Sequence, residues 1–358
     1  MRNGFAPITA GLILLASTAS ADMTPSFQGL GILPGGNNSR AYGVSGDGAT
    51  VVGSSQSTPG THGFRWTADE GMIGLGDLPG GGYCGRAQRI SADGSAIIGY
   101  GYGVDYHAFR WTEPEGMVDL GSLSGPSEQS GAYGVSADGS VVVGYSQTDS
   151  FNAPFRWTAK EGMQPLEGVV RGGASDVSAD GTVIVGSRGG SLAQAFRWTE
   201  ETGPVDLGDL PGGNYNSYAK AISADGQVIV GYGSSAYCND EAYRWSESGG
   251  MVGLGFLWTY EGLGASQATD TNGDGSIVVG YGVTDLYGTR APFIWDEKHG
   301  MRAFQDVLEN DYNLDMSGWN LLEATGISDD GSTIVGFGYG PAGRLEGWIA
   351  RIPEPGSL

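Results

Sequence analysis

Tyrosines outside the regular strands are the residues of this sequence best suited to chemistry. A tyrosine presents an apolar ring with a polar tip, which suits stacking on the face of a sugar. The candidates lie in connections that vary in length and content, where binding residues usually occur. They are Tyr83, Tyr106, Tyr215, Tyr218, Tyr237 and Tyr287. The sequence therefore predicts a ligand site formed by loop tyrosines.

An alternating run of oxygen-bearing side chains offers a second kind of site. Asp270, Asn272 and Asp274 stand at alternate positions, as in the first half of a calcium loop. A full EF-hand loop also needs a bidentate Glu at its twelfth position, and that position is Tyr281. This excludes an EF-hand and leaves two alternatives, a short Ca²⁺ loop or an ordinary Asp-Gly hairpin. No other cofactor is expected.

Catalytic motifs have little support. The chain has three histidines, no Gly-x-Ser-x-Gly elbow before a helix and no metal motif borne on a helix. Because the chain has 40 acidic residues, two neighbouring carboxylates of the kind a glycosidase uses would mean little by themselves. We therefore predict no catalytic residue. An enzyme acting on glycans would require buried carboxylates with perturbed pKa values.

Seven repeats must position these residues. One marker, an Asp-Gly turn followed by an apolar triplet and glycine, recurs about every 45 residues, the period of propeller blades. Its copies begin at Asp47, Asp93, Asp138, Asp180, Asp225, Asp274 and Asp330. The second marker, aromatic-Arg-Trp, gives the same count if two degenerate copies are included. It is centred on Arg65, Arg110, Arg156, Arg197, Arg244, Ile294 and Trp348.

Each repeat is expected to form four short strands, which in the third repeat lie at 132–136, 141–145, 154–158 and 163–166. Asp-Gly is a strong hairpin signal, and the apolar second strand is typical of a sheet covered on both faces. The last repeat lacks its fourth strand, and a spare strand of that type lies at 27–33. Pairing the two would remove exposed edges. The predicted fold is all-β, a single seven-bladed β-propeller of four-stranded blades closed by the N-terminal strand.

The two ends of the chain are expected to lie outside the propeller. Arg2, an apolar run at 8–16 and the small residues at 19–21 have the layout of a secretory signal peptide. We therefore divide the chain into a signal peptide at 1–21, the seven-repeat propeller at 22–352 and a Pro-rich tail at 353–358. An exported protein, extracellular or at the cell surface, is expected.

Composition limits the partners. Acidic residues outnumber basic ones 40 to 18, for a net charge of −22, which argues against nucleic acid or an anionic membrane. That charge is compatible with cations or neutral glycans. Cys84 and Cys238 lie in different repeats without CxxC spacing, so a metal or redox site is not expected, and their pairing stays open. We expect a monomer, with a short helix near 304–309.

Two recurring side chains are assigned structural roles. An aromatic residue follows the apolar strand in five repeats, and we expect these rings to pack between blades, with sugar stacking as the alternative. They are Tyr100, Tyr145, Tyr232, Tyr281 and Phe337. Each Arg of the aromatic-Arg-Trp marker is expected to pair with a turn carboxylate of its own blade and not to join a basic belt.

The markers also resemble a known family. The stretch Tyr106-His107-Ala108-Phe109-Arg110-Trp111 resembles the repeat of the extracellular HAF-repeat family, and the likeness extends over nearly all of the chain beyond residue 21. It implies a secreted bacterial repeat protein without a settled biochemical activity. Ile352-Pro353-Glu354-Pro355-Gly356 resembles the start of a PEP-CTERM sorting signal. Such signals continue into an apolar helix and a basic cluster, so we expect membrane attachment only if a C-terminal anchor has been trimmed. The alternative is a disordered tail.

Three functions remain open at this point. The first is a binding or scaffold module for an extracellular polysaccharide or a surface protein, which predicts tyrosines clustered around the channel mouth. The second is a structural spacer without a ligand, which predicts no such cluster. The third is a glycan hydrolase or lyase. All three rest on analogy of fold, which is a weak guide to function.

Overall fold

The computed structural model describes residues 23–58, 60–82, 84–103, 105–125, 128–190, 192–236, 240–257, 264–285 and 287–353. These residues form seven four-stranded antiparallel sheets arranged as a seven-bladed β-propeller around a central channel. The predicted fold class is therefore confirmed. The predicted signal peptide at 1–21 and most of the predicted tail lie outside the described residues.

The strands follow one another blade by blade. Blade 1 contains β2 (Ser39–Val44), β3 (Thr50–Gln56), β4 (Thr61–Thr67) and β5 (Gly71–Gly74). Blade 2 contains β6 (Gly85–Ile90), β7 (Ile97–Tyr102), β8 (Tyr106–Thr112) and β9 (Gly116–Asp119). Blade 3 contains β10 (Ser130–Val135), β11 (Val141–Gln147), β12 (Asn152–Thr158) and β13 (Gly162–Pro165). Blade 4 contains β14 (Gly172–Val177), β15 (Ile184–Gly189), β16 (Ala193–Thr199) and β17 (Gly203–Asp206).

The remaining blades keep the same order until the last. Blade 5 contains β18 (Ser217–Ile222), β19 (Val228–Gly233), β20 (Glu241–Ser246) and β21 (Gly250–Gly253). Blade 6 contains β22 (Ser266–Thr271), β23 (Ile277–Val283), β24 (Arg290–Asp296) and β25 (Gly300–Ala303). Blade 7 contains β26 (Asn320–Ile327), β27 (Thr333–Tyr339), β28 (Leu345–Arg351) and the N-terminal β1 (Ser26–Gly29). The first strand of each blade faces the channel, and the fourth lies outermost.

Strand β1 closes the ring. It pairs antiparallel with β28, with Ser26 opposite Arg351 and Gly29 opposite Trp348. The ring of Phe27 meets that of Trp319 edge-on, with centroids 5.1 Å apart. The predicted closure by the N-terminal strand is confirmed, and it leaves no blade with only three strands.

The glycine after each apolar triplet is required by packing inside the blade. In blade 3, Gly144 lies opposite Phe155, whose side chain is fully buried. A Cβ on Gly144 would lie 1.9 Å from the Gly131 carbonyl oxygen and 2.9 Å from the Phe155 ring. Every blade repeats this pairing of a glycine with a large aromatic. The two sequence markers are thus two halves of one contact.

The Asp-Gly hairpins are held by a serine two residues before the aspartate. In blade 3, the Ser136 hydroxyl donates to Asp138 at 2.8 Å and accepts the backbone N–H of Val141 at 2.9 Å. Asn272 takes the place of serine in blade 6 and accepts the N–H of Ile277 at 2.9 Å. Since the chain alternates direction, these hairpins lie on the same face of the propeller as the turns between the third and fourth strands.

The marker arginines follow the predicted ion pairing in three blades. Arg65 lies 2.7 Å from Glu70, Arg110 lies 3.3 Å from Glu115, and Arg156 lies 3.4 Å from Glu161. Arg244 instead donates to the Gly275 carbonyl of the next blade. These four arginines therefore stabilise turns and hairpins on this face and do not form a basic belt.

Within the described residues, one helix interrupts the strands, at the predicted position. Helix α1 (Phe304–Asn310) buries Phe304, Val307 and Leu308. The Phe304 ring stacks on Trp348 with centroids 5.8 Å apart, so the helix covers the blade that closes the ring. Among the described residues, no helix is both long and apolar enough to cross a membrane.

Candidate functional site

Each innermost strand contains a β-bulge, and the bulged residues define one mouth of the channel. The pairing with the second strand shifts by one residue in every blade, for example between Ala132 and Gly134 in blade 3. The residue between them is left without a partner and turns toward the channel. We call these seven residues the bulge ring: Tyr42, Gln88, Tyr133, Ser175, Lys220, Thr269 and Thr325. All seven line a cavity of about 410 Å³, which lies toward the face opposite the Asp-Gly hairpins.

Aromatic side chains form much of this mouth. Tyr133 stacks on Tyr145 with ring centroids 5.9 Å apart, and both line the cavity. In blade 5, Tyr218 stacks on Tyr232 with ring centroids 4.9 Å apart. Burial raises the pKa of Tyr145, and it raises the pKa of Tyr232 to about 12, so these phenols stay neutral and available for hydrogen bonds. These aromatics were expected to pack between blades, but the ring contacts of Tyr145 and Tyr232 lie within blades 3 and 5, and Tyr145 also lines the channel mouth.

Cations lie against these rings. The Lys220 ammonium nitrogen lies 5.6 Å from the centre of the Tyr232 ring. The guanidinium of Arg86 lies 6.0 Å from the Tyr100 ring, and that of Arg40 lies 5.0 Å from the Phe337 ring. Such contacts are weakly favourable and leave the charge free to meet an anion.

A charged layer lies directly below the bulge ring. Arg89 of blade 2 reaches across the channel to Asp270 of blade 6 at 3.1 Å. It also donates to the carbonyls of Thr269 and Thr325. The Asp270 carboxylate accepts the backbone N–H of Ile327 at 3.1 Å, so the group ties three blades together.

A second carboxylate in this layer is strongly perturbed. Burial, with a contribution from the nearby Asp270, raises the pKa of Asp176 to about 7 against the opposing effect of Arg89. Burial also raises the pKa of Asp270. Asp176 accepts the N–H of Ile222 in the next blade at 3.1 Å. Both carboxylates therefore link neighbouring blades.

The other end of the channel is lined by backbone. Seven N–H···O bonds of 2.9–3.1 Å run from each Asp-Gly hairpin to the next around the whole ring. The carbonyls that accept them belong to Ala92, Ala137, Ala179, Ala224, Gly273, Asp329 and Gly46. The cavity beside this ring has a volume of only about 100 Å³. The channel is thus wider at the bulge ring than at the hairpins.

This division bears on catalysis. Asp176 and Asp270 line the small cavity near the hairpins and not the mouth cavity, whereas Arg89 borders both. Buried carboxylates with raised pKa values are the feature that the enzyme alternative requires. Here they lie on the hairpin side of Arg89, in a cavity of about 100 Å³. A ligand in the mouth would contact tyrosines, Gln88, Lys220 and Arg89, which bind and orient.

The predicted loop tyrosines are spread over several blades. Tyr106 of blade 2 contacts Tyr102, with ring centroids 5.3 Å apart. Tyr215 and Tyr218 lie at the start of blade 5, with Tyr215 71% exposed beside an outer groove, and Tyr287 of blade 6 is 95% exposed. Tyr83 and Tyr237 lie outside the described residues. Of the four described, Tyr218 contacts Tyr232 and Tyr106 contacts Tyr100, and none of the four lines the mouth cavity.

The proposed calcium ligands face different surroundings. Asp270 points into the channel and binds Arg89, while Asn272 and Asp274 accept N–H groups within their own hairpin. Among the described residues, no group of three or more His, Cys, Asp or Glu side chains is placed to hold a metal ion. Asp270 therefore belongs to the charged layer and Asn272 and Asp274 to the hairpin, and the calcium site stays a prediction.

One of the two cysteines can be placed. The Cys84 sulfur lies 3.2 Å from the Tyr106 hydroxyl. Cys238 lies outside the described residues, and the pairing of the two cysteines stays open.

Several mouth residues were not found from the sequence. Tyr42, Tyr133 and Lys220 sit in the frame Ala-x-x-apolar-Ser or its near variants, and strand alternation alone does not show that the first x is bulged. The available signal was variability, since both x positions differ among repeats while the flanking Ala, apolar residue and Ser are kept in most of them. A variable position inside a constant frame is where a repeat fold can place a binding residue.

Comparison with known proteins supports the fold and goes no further. No family model matches the sequence, and no curated protein matches it. An oligogalacturonate lyase from Vibrio parahaemolyticus is similar with a TM-score of 0.58 and 11% identity, over 93% of this chain and 98% of that one. TolB from Acinetobacter baumannii has a TM-score of 0.49 and 12% identity, over 70% of this chain. The match covers 62% of the TolB chain. Hydrazine synthase from Kuenenia stuttgartiensis has a TM-score of 0.48 and 13% identity, over 94% and 99%. At these identities the similarity shows only that the chain is a β-propeller.

Proposed function

We propose that this protein is an exported binding module whose ligand site is the channel mouth, and that the ligand is an extracellular polysaccharide. The observation that supports this most directly is the cavity of about 410 Å³ lined by the bulge ring and Tyr145. Its volume is in the range of ligand pockets, and a tyrosine ring is suited to the face of a sugar. The signal-like segment at 1–21 and the HAF-repeat resemblance support an extracellular location.

Binding is favoured over catalysis by the position of the carboxylates. Asp176 and Asp270 line the smaller cavity and not the mouth cavity, so no pair of carboxylates lines the proposed site. The oligogalacturonate lyase that shares the fold is a precedent for sugar chemistry on a propeller, without assigning that chemistry to this chain. A spacer without a ligand would leave the mouth cavity and its half-buried tyrosines without a role.

The test is a glycan array with the purified protein, run with Ca²⁺ and with a chelator. We expect selective binding that Tyr133→Ala weakens about tenfold, since a central aromatic contact contributes more than 1 kcal/mol. Tyr287→Ala serves as the matched variant, because Tyr287 is a loop tyrosine at 95% exposure, and it should leave binding unchanged. The chelator arm tests the calcium proposal at Asp270, Asn272 and Asp274.

Three results would contradict this proposal. A blank array in both conditions would favour the spacer. Loss of binding in Tyr287→Ala but not in Tyr133→Ala would move the site to the outer loops. Shortening of a bound oligosaccharide on incubation would favour the hydrolase or lyase.

A further inference from the structure

The charge at the channel mouth differs from that of the protein as a whole. The chain has 40 acidic and 18 basic residues, yet Lys220 and Arg89 are the charged groups that line the mouth cavity. Arg86 lies nearby, against the Tyr100 ring. Burial lowers its pKa, but the neighbouring phenols of Tyr42 and Tyr100 outweigh that effect and raise it. The mouth is locally basic.

Arg89 is paired with Asp270, but the other cations near the mouth have no carboxylate partner among the described residues. In the described part of the chain, Lys220, Arg86 and Arg40 have no carboxylate within the 4.0 Å of an ion pair. Two carboxylates closer to blades 6 and 7 already have partners. Glu323 pairs with Arg290, and Asp240 accepts from Gln267 at 2.8 Å.

Lys220 is the most informative of the cations. At the equivalent positions of blades 6 and 7, Thr269 and Thr325 donate to the carbonyls of the following blade, at 2.7 and 3.0 Å. Within the described residues Lys220 donates no such bond, and its side chain is open to the channel. Burial and the nearby Arg89 lower its pKa. Because the side chain is exposed to the channel, its ammonium group is accessible to an anion in the mouth.

We infer that the mouth binds an acidic sugar chain, with the Lys220 ammonium group pairing with a carboxylate or sulfate of that chain. This inference rests on the proposed function and narrows its ligand class. Tyr133 and Tyr145 would contact the sugar rings, and Arg86 would attract the next acidic group. The overall negative charge does not prevent this, because charges on the far face are screened over about 8 Å at physiological ionic strength.

The inference differs from what composition suggested. From net charge alone we expected cations or neutral glycans as ligands. Net charge sums the whole surface, whereas a ligand meets only the groups within a few ångströms of it.

The test is calorimetric titration of the purified protein with oligogalacturonate and with its neutral methyl ester of equal length. We expect the acid to bind at least about tenfold more tightly, as for a hydrogen bond to a charged group. Lys220→Met should lose about that factor, and Lys220→Arg should retain most of it. Lys160→Met is the matched control, since Lys160 is exposed on the hairpin face, and it should bind like the wild type. A sulfated oligosaccharide distinguishes a carboxylate from a sulfate as the bound anion.

The outcomes separate this inference from the proposed function. Equal affinity for acid and methyl ester, with wild-type binding by Lys220→Met, would overturn the inference. If Tyr133→Ala still weakened that binding, the proposed site would stand with a neutral ligand. Absence of binding by every sugar would overturn both.

Discussion

The two ends of the channel are built from the same seven strands and use them differently. At the hairpin end, each blade offers a backbone N–H to the next, and the residues that close the ring are mostly glycine or alanine. At the bulge ring, the seven positions hold five different residue types. Backbone hydrogen bonds between hairpins need only small side chains, so the residues at that end are similar in most blades. A bulged residue has no partner in the second strand, so its side chain can differ from blade to blade.

Breaking the charged layer between these ends should have the largest effect. Arg89→Met would leave Asp270 enclosed without its partner, which should lower the free energy of unfolding by about 3–5 kcal/mol. Lys220→Met, one layer higher, should change it by no more than about 1 kcal/mol, because Lys220 has no carboxylate partner to lose and its contact with the Tyr232 ring is weak. Urea unfolding of both variants measures the difference. Similar losses in the two would show that the layers are not distinct.

The pH dependence of stability should be dominated by the same layer. The folded-state pKa of Asp176 is raised to about 7 by burial, against about 3.9 in the unfolded chain. The folded state therefore holds a proton that the unfolded state releases. This contribution to stability is fully present below about pH 4 and is lost as the pH rises through about 7.

The measurement is urea unfolding at several pH values between about 4 and about 7. The Asp176 carboxyl should contribute a fall of roughly 1.4 kcal/mol per pH unit at most, which Asp176→Asn should remove. Asp138→Asn should keep the fall, because the Ser140 N–H lowers the pKa of that hairpin carboxylate. An unchanged slope in Asp176→Asn would contradict the assignment.

A smaller effect should separate the inner hairpins from the outer turns on the same face. Gly139 and Gly116 both have a φ of 69°, so alanine costs about 1–2 kcal/mol of backbone strain at either site. At Gly139 its Cβ would also lie 2.5 Å from that of Ala96 in the preceding blade, while at Gly116 it would meet nothing within 4 Å. Gly139→Ala should therefore lose about 1–3 kcal/mol more. Equal losses in thermal unfolding would show that the hairpin end is loosely packed.

The architecture was predictable from the sequence because repeats multiply weak signals. Asp-Gly, the apolar triplet and the aromatic-Arg-Trp strand each recur, and the structure shows that the glycine of one marker packs on the aromatic of the other. The spare strand at the N-terminus and the short helix also follow from local pattern. Strand bounds shifted by one or two residues, as β10 and β12 show.

The site was less predictable, for physical reasons. A bulge inserts one extra residue and so interrupts the alternation of inward and outward side chains. Strand alternation alone therefore does not predict that Tyr133 and Lys220 face the channel. The Arg89–Asp270 pair joins residues 181 positions apart, which no local pattern reveals. Asp270 was proposed as a calcium ligand on its spacing, and the structure places it in that pair. Local pattern identified aromatic candidates but not which of them share a cavity.

Hydroxyl-radical footprinting with and without oligogalacturonate tests the central claim most directly, that the bulge-ring end is the ligand site. Tyr133 and Tyr145 line the mouth, so both should become protected when the ligand binds, while the fully exposed Tyr287 should react equally in both samples. Protection of Tyr287 or Tyr215, with Tyr133 and Tyr145 unchanged, would contradict the account and place the ligand on the outer loops.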